Sequence, residues 1–207
     1  MKKIVITGAL GYIGTELCKL YSGFSWKYEV IAIDNRFISE RVNELKRRKI
    51  KFVQADIVNL DEIKSFIKEA EIVHHLAGVT DVAYVKKDSD PDQDEKIKKV
   101  AIEGTENILK SMNKNATIVF PSTHVVFEGL KKPKTNIDEN EKTSTFLAYS
   151  SSKVVNENQI IKSGKKYAIF RLGSVYGFST DTMRINIMPS LFSKIASQDG
   201  TIKLFGG

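Results

Sequence analysis

The sequence predicts an α/β fold built on a doubly wound parallel sheet, and three observations carry that expectation. Short apolar, β-branched runs alternate with segments of helical periodicity along most of the 207 residues. The first run leads directly into a glycine-rich turn, Thr7-Gly8-Ala9-Leu10-Gly11-Tyr12-Ile13-Gly14, which opens a helix. A carboxylate, Asp34, closes the second run 20 residues after Gly14. Regular strand–helix alternation implies right-handed crossovers and a sheet covered on both faces. Ligands then bind at the carboxyl ends of the strands.

In chain order, strands are expected at 4–6, 29–33, 51–54, 72–75, 117–120 and 167–170, where branched and aromatic residues cluster between polar breaks. The intervening segments 13–20, 40–48, 60–69, 97–112 and 147–162 space their apolar residues by threes and fours and are expected to be helices. Residues 128–144, rich in lysine and acids, are the expected mobile loop. After Arg171 the pattern changes to a turn-rich passage, Gly173-Ser174-Val175-Tyr176-Gly177, then a helical stretch at 185–195 and a strand at 201–205. The expected division is a dinucleotide-binding domain over 1–171 and the beginning of a smaller substrate lobe, cut short, over 172–207. Alone, this length is expected to bind cofactor weakly and to turn nothing over.

Composition narrows the function classes. The net charge is +7, but the lysines lie in scattered clusters such as 46–51, 96–99 and 131–134, without interleaved aromatics or an arginine-rich helix. That is a solvated surface rather than a nucleic-acid face, and its field favours anionic ligands. The single cysteine, Cys18, fits a reducing compartment. No apolar stretch reaches the roughly 20 residues needed to span a bilayer. The glycines that interrupt the N-terminal apolar run argue against a signal peptide. A cytoplasmic protein, without membrane or nucleic-acid partners, is expected.

Gly8, Gly11 and Gly14 stand in a GxxGxxG spacing between a strand and a helix. Missing side chains let the backbone N–H groups around Tyr12 and Ile13 approach a pyrophosphate at the positive helix end. Asp34, with Asn35 beside it, can accept from the ribose hydroxyls of an adenosine, which favours NAD over NADP. Arg36 opposes that preference, because it can pair with a 2′-phosphate. Asp56, followed by Ile57, can accept from an adenine amino group or cap the helix near Leu60. His74, His75 and His124 have no cysteine or carboxylate partners at ligand spacing, so no metal site is expected. His75 reads as a packed residue. Met183, Met188, Phe178 and Phe192 read as packing residues of the core or the lobe.

Tyr149 and Lys153, four residues apart, lie on one helical face. A free phenol titrates near 10, so base strength near neutrality needs a drop of roughly 3 units, or about 4 kcal/mol. One cation about 4 Å away supplies about 4 kcal/mol at an effective dielectric near 20. Tyr149 is therefore a credible general base.

These residues resemble the extended short-chain dehydrogenase/reductase family, specifically its nucleotide-sugar epimerase and dehydratase group, whose fold is of the Rossmann type. The resemblance rests on the glycine turn, Ala55-Asp56-Ile57, His75-Leu76-Ala77-Gly78, Gly104-Thr105-Glu106-Asn107-Ile108-Leu109, Pro121-Ser122-Thr123, Tyr149 to Lys153 and Arg171 to Gly177, in family order. It implies that Thr123, Tyr149 and Lys153 form the catalytic group and that Leu76, Ala77 and Gly78 run beside NAD, which Tyr149 and Lys153 also contact, Lys153 at the nicotinamide ribose. It also implies a nucleotide-sugar substrate, epimerised through a transient ketone, and a homodimer paired through the helices at 97–112 and 147–162. Three departures stand out: His124-Val125 where dehydratases carry Asp-Glu, Ala101 in place of a frequent asparagine, and Ser174 and Phe178 in place of Asn and Pro. The stretch from Ser122 to Gly129 also resembles dTDP-4-dehydrorhamnose reductases, so a reductase with a dissociable cofactor is the first alternative. A non-catalytic dinucleotide- or RNA-binding relative is the second.

Overall fold

The computed structural model describes residues 1–79, 90–179, 185 and 187–203. Six parallel strands form one sheet in the order β3-β2-β1-β4-β5-β6. They are β1 (Lys2–Thr7), β2 (Tyr28–Asp34), β3 (Lys51–Gln54), β4 (Ile72–His75), β5 (Thr117–Thr123) and β6 (Lys166–Leu172). The helices are α1 (Tyr12–Ser22), α2 (Ser39–Arg47), α3 (Leu60–Lys68), α4 (Pro91–Ser111), α5 (Ala148–Lys162) and α6 (Met188–Ser197). The order reverses between β1 and β4, which is where a doubly wound sheet opens a crevice.

The period-2 alternation of β1 divides the core. Ile4 and Ile6 face a cluster with Leu10, Cys18, Val42 and Leu45, under α1 and α2. Val5 faces the opposite cluster with Ile63, Ile67, Ile108, Phe120 and Ile160, under α3, α4 and α5. All three β1 residues are fully buried, each worth about 1.5–3 kcal/mol of hydrophobic stabilisation. Every strand points the same way, so the turns after β1, β2, β3, β4 and β5 meet along one edge.

Two elements differ from the sequence expectation. Helix α4 begins six residues earlier than the periodicity suggests, because Asp90 caps the Asp92 N–H at 3.1 Å and Pro91 sits in the first turn. Strand β5 continues three residues past Phe120, through Pro121. Its ladder with β4 stops at Val119, so on that side the missing proline N–H costs no sheet bond.

The chain divides into two compact units, residues 1–172 and 173–207. In the second, α6 starts at Met188, where Pro189 occupies the first turn. Phe178 is 82% exposed and Met188 65%, so neither is the packing residue the sequence suggested; Met183 lies outside the described residues. Residues 201–203 carry no strand, and 204–205 lie outside the described residues. Among the described residues no helix is long and apolar enough to cross a membrane.

Candidate active site

The glycine turn is shaped by backbone contact. Gly8 has φ +67°, and a Cβ there would lie 2.7 Å from the Ala77 nitrogen. A Cβ on Gly14 would lie 2.4 Å from the Gly8 carbonyl oxygen. Gly11 is the N-cap of α1, and its N–H donates to the Gly8 carbonyl at 3.0 Å. Only glycine lets the β1 turn, the start of α1 and the segment after β4 approach so closely. Tyr12 and Ile13 form the first turn of α1, at the positive end of its dipole. This cradle fits a pyrophosphate, in keeping with the dinucleotide expected from the sequence.

A hydrogen-bond chain fixes the cradle to the sheet. The Leu76 N–H donates to the Thr7 carbonyl at 3.2 Å and the Ala77 N–H to Thr7 Oγ1 at 3.3 Å. His75 Nδ1 pairs with Thr7 Oγ1 and His75 Nε2 with Thr105 Oγ1, both at 3.0 Å. Burial, aided by the Lys153 charge, pushes His75 down to about 3, so its ring is neutral. His75 is thus the packed residue the sequence suggested, with a defined duty: it holds the β1 and β4 ends together. Gly78, beyond this anchor, is exposed, with open space where a Cβ would stand.

The Gly104-Thr105-Glu106-Asn107 motif serves the same end of the sheet. A Cβ on Gly104 would lie 2.3 Å from Ile57 Cδ1, so the glycine lets α4 pack closely against the Ile57 side chain. Asn107 Nδ2 then donates to the Ile57 and Val58 carbonyls, each at 3.0 Å.

At the β2 and β3 ends, Asp34 is buried and accepts from the Leu10 N–H at 3.0 Å. Arg36 covers it with a bidentate ion pair, Nε to Oδ1 at 3.0 Å and Nη2 to Oδ2 at 3.2 Å. Asn35 Nδ2 donates to Asp56 Oδ2 at 3.1 Å, and Asp56 Oδ1 accepts from the Val58 N–H at 3.1 Å. Asp56 therefore shapes the β3 turn and does not cap α3, whose N-cap is Asn59.

The third cluster joins β5 to α5. Lys153 Nζ donates to the Pro121 carbonyl at 2.8 Å, 4.4 Å from the centre of the Phe120 ring. It stands 5.8 Å from the centre of the Tyr149 ring, so the two residues share a helical face as their spacing requires. Burial lowers Lys153 to about 8, while the Glu157 carboxylate pulls the other way. Thr123 is buried at the end of β5, and its hydroxyl accepts from the Val125 N–H at 3.3 Å. His124, next in the chain, is exposed and donates through Nδ1 to the Leu172 carbonyl at 3.0 Å.

Sequence reasoning missed what stands behind this cluster. Glu157, one turn after Lys153, is buried and accepts from Ser122 Oγ at 2.5 Å. Arg171 donates to it through Nε at 3.1 Å and Nη2 at 2.7 Å. The i+4 spacing from Lys153 was legible; the arginine partner came only with β6. Glu128 was missed too, because it begins the segment expected to be mobile. Its carboxylate accepts from the Phe146 and Leu147 N–H groups at 3.2 and 3.0 Å and from the Ser150 hydroxyl, holding the start of α5. The ends of that segment are tied as well, by Gly129 N–H to the Ser144 carbonyl at 2.9 Å and Ser144 N–H to the Val126 carbonyl at 2.8 Å.

A family model, the NAD dependent epimerase/dehydratase family, matches residues 4–207. The uncharacterized UDP-glucose epimerase YtcB of Bacillus subtilis is 27% identical over 190 residues, covering 84% of this chain and 57% of the relative. A dTDP-4-dehydrorhamnose reductase of Aggregatibacter actinomycetemcomitans is 26% identical over 180 residues, covering 86% of this chain and 53% of the relative. The fold is similar to that of UDP-glucuronic acid 4-epimerase from Bacillus cereus, solved with UDP-glucuronic acid and NAD, at a TM-score of 0.78 and 23% identity, covering 99% of this chain and 66% of that one. This chain thus spans between half and two thirds of the length of these proteins.

Proposed function

This chain belongs to the NAD dependent epimerase/dehydratase family, and from that premise we propose that it binds NAD and epimerises a nucleotide sugar, with Tyr149 as the acid–base residue. The observation that carries this reading is Lys153, placed beside the Tyr149 ring and fastened to the Pro121 carbonyl at the end of β5. The glycine cradle lies at the end of β1 along the same sheet edge.

Gly8, Gly11 and Gly14, with the Tyr12 and Ile13 turn, would hold the pyrophosphate; Asp34, Asn35, Asp56 and Ile57 would hold the adenosine end; Leu76, Ala77 and Gly78 would lie along the nicotinamide half, with Lys153 on its ribose. When bound, NAD supplies a reversible hydride acceptor. Tyr149 removes a sugar hydroxyl proton and returns it once the substrate ketone has turned. Lys153 stabilises the phenolate by its charge, and Thr123 orients the hydroxyl. The dehydratase branch is disfavoured by His124-Val125, which supply no acid pair for eliminating water. A homodimer through α4 and α5 rests on the family resemblance; within the chain these helices already meet, Asn156 Nδ2 donating to the Ala101 carbonyl at 2.9 Å.

The reductase reading keeps its place because of the similarity to dTDP-4-dehydrorhamnose reductase. Denaturing the purified full-length protein and identifying the released nucleotide by mass spectrometry separates the two. An epimerase retains NAD at close to one per chain. A nucleotide-free protein that consumes NADH or NADPH with a keto-sugar nucleotide is the reductase, and overturns the epimerase reading.

A further inference from the structure

Ser122 continues the face of β5 on which Ile118 and Phe120 enter the core with Ile160 of α5. At the ligand edge of that face a buried hydroxyl stands where the strand has so far placed apolar side chains, and it donates to Glu157 Oε1 at 2.5 Å. Arg171 of β6 holds the same carboxylate from the other side, through Nε to Oε1 at 3.1 Å and Nη2 to Oε2 at 2.7 Å. Its third nitrogen, Nη1, donates to the Glu139 carbonyl at 3.1 Å. One buried carboxylate thus ties α5 to β5 and β6.

Stability alone is a poor reason for this arrangement, because the Coulomb gain of a buried ion pair is largely offset by desolvation and apolar packing serves as well. Its place in the fold suggests another. Lys153 and Glu157 lie one turn apart on α5, and they bond to consecutive residues of β5. Lys153 Nζ takes the Pro121 carbonyl at 2.8 Å; Glu157 takes the Ser122 hydroxyl. The next residue of the strand is Thr123, buried at its end. Two attachments at successive positions fix the register of α5 on β5, whereas one lysine on a flexible stem would let it slide.

Resting on the acid–base reading of Tyr149, we propose that Glu157 is a positioning residue for the reaction: through the Ser122 hydroxyl it keeps Thr123 and the Pro121 carbonyl in register with the helix that carries Tyr149 and Lys153. Arg171 orients the carboxylate and keeps it ionised. Glu157 takes no part in proton transfer. Its charge has a separable effect. Among the described residues, Lys153 faces Tyr149 and Glu157 on its own helix and His75 on β4, while Glu157 faces Arg171 on β6. His75 is neutral, so Glu157 is the anion that supports the Lys153 ammonium.

The test is steady-state turnover of a nucleotide sugar by the full-length protein, from neutral to alkaline pH, comparing Ser122→Ala, Glu157→Gln and Glu157→Asp with Tyr149→Phe. Ser122→Ala cuts the tie and spares the Glu157–Arg171 pair. It should hold NAD and keep its KM while kcat falls about 10–100-fold, the cost of a small misplacement of reacting groups. The alkaline limb of its pH profile should not move, because the carboxylate is still present. Glu157→Gln should lower kcat as far and also carry that limb to lower pH. Glu157→Asp keeps the charge and should restore the limb, with kcat between the two. An unchanged kcat in Ser122→Ala overturns the positioning role, even where Glu157→Gln fails to fold. Undiminished turnover by Tyr149→Phe overturns the acid–base reading instead.

Discussion

Lys153 stands one helical turn beyond Tyr149, its Nζ 5.8 Å from the centre of the phenol ring and held at 2.8 Å by the Pro121 carbonyl. The lysine is thus fastened on the sheet side with its charge beside the phenol ring.

Burial places Lys153 near 8, below its ordinary value of 10.5. The folded chain then holds fewer protons than the unfolded one between about pH 8 and 10.5, so stability rises with pH across that window. Below pH 8 the full cost of keeping the ammonium is present, at most about 3 kcal/mol. Relative to Lys153→Met, the unaltered chain should gain stability from pH 8 to 10 in urea unfolding. A difference independent of pH contradicts a depressed lysine.

His75, held near 3, gives the complementary behaviour on the acid side. The unfolded chain protonates this ring below its ordinary 6.5 while the folded chain does not, so stability falls as pH drops from 6.5 toward 3. His75→Ala should cost about 2–4 kcal/mol at pH 7, through a cavity and two deprived threonine hydroxyls. The same variant should lose less stability on acidification. Unfolding curves at pH 7 and pH 5 for both proteins check the two effects.

The glycines divide by what a methyl group would meet. Gly14→Ala and Gly8→Ala place a Cβ 2.4 and 2.7 Å from backbone atoms, and Gly8 has a positive φ besides. Each should destabilise by about 2–4 kcal/mol. At Gly78 a Cβ meets nothing, so Gly78→Ala should unfold like the unaltered protein while weakening NAD binding. Thermal melts with and without nucleotide distinguish the classes.

Removing one partner of the Glu157–Arg171 pair, buried at the carboxylate and partly exposed at the guanidinium, should cost more than removing both. Glu157→Gln leaves the guanidinium without its counter-charge and should destabilise by about 3–5 kcal/mol. Glu157→Gln with Arg171→Met should recover part of that loss. Because Glu157 holds the Lys153 value up, the single variant should also lower it further. Chemical denaturation of all three variants, with a pH series, supplies the measurement.

Strand–helix order, the glycine cradle and the Tyr149–Lys153 face were legible because each depends on residues close in sequence. The N-terminus of α4 was readable in principle from Asp90-Pro91, but residues 92–96 hold no apolar residue, so hydrophobic spacing alone starts the helix late. The strand expected at 117–120 runs on through Pro121 because the β4 ladder has already ended at Val119, which spacing along the chain does not show. Arg36 was visible as a neighbour of Asp34, yet its bidentate cover depends on a turn geometry no spacing encodes. Glu157 and Arg171, and Thr7, His75 and Thr105, meet across separate elements, where a single sequence carries no pairing signal.

The account stands most directly on Tyr149→Phe in the full-length protein, assayed with a nucleotide sugar as substrate and with NAD content measured on the same sample. Loss of only one hydroxyl should leave NAD bound as before and reduce interconversion of the sugar epimers by several orders of magnitude. Interconversion at an undiminished rate would mean that the proton leaves by another route, and that the helix carrying Tyr149 and Lys153 serves some purpose other than acid–base chemistry.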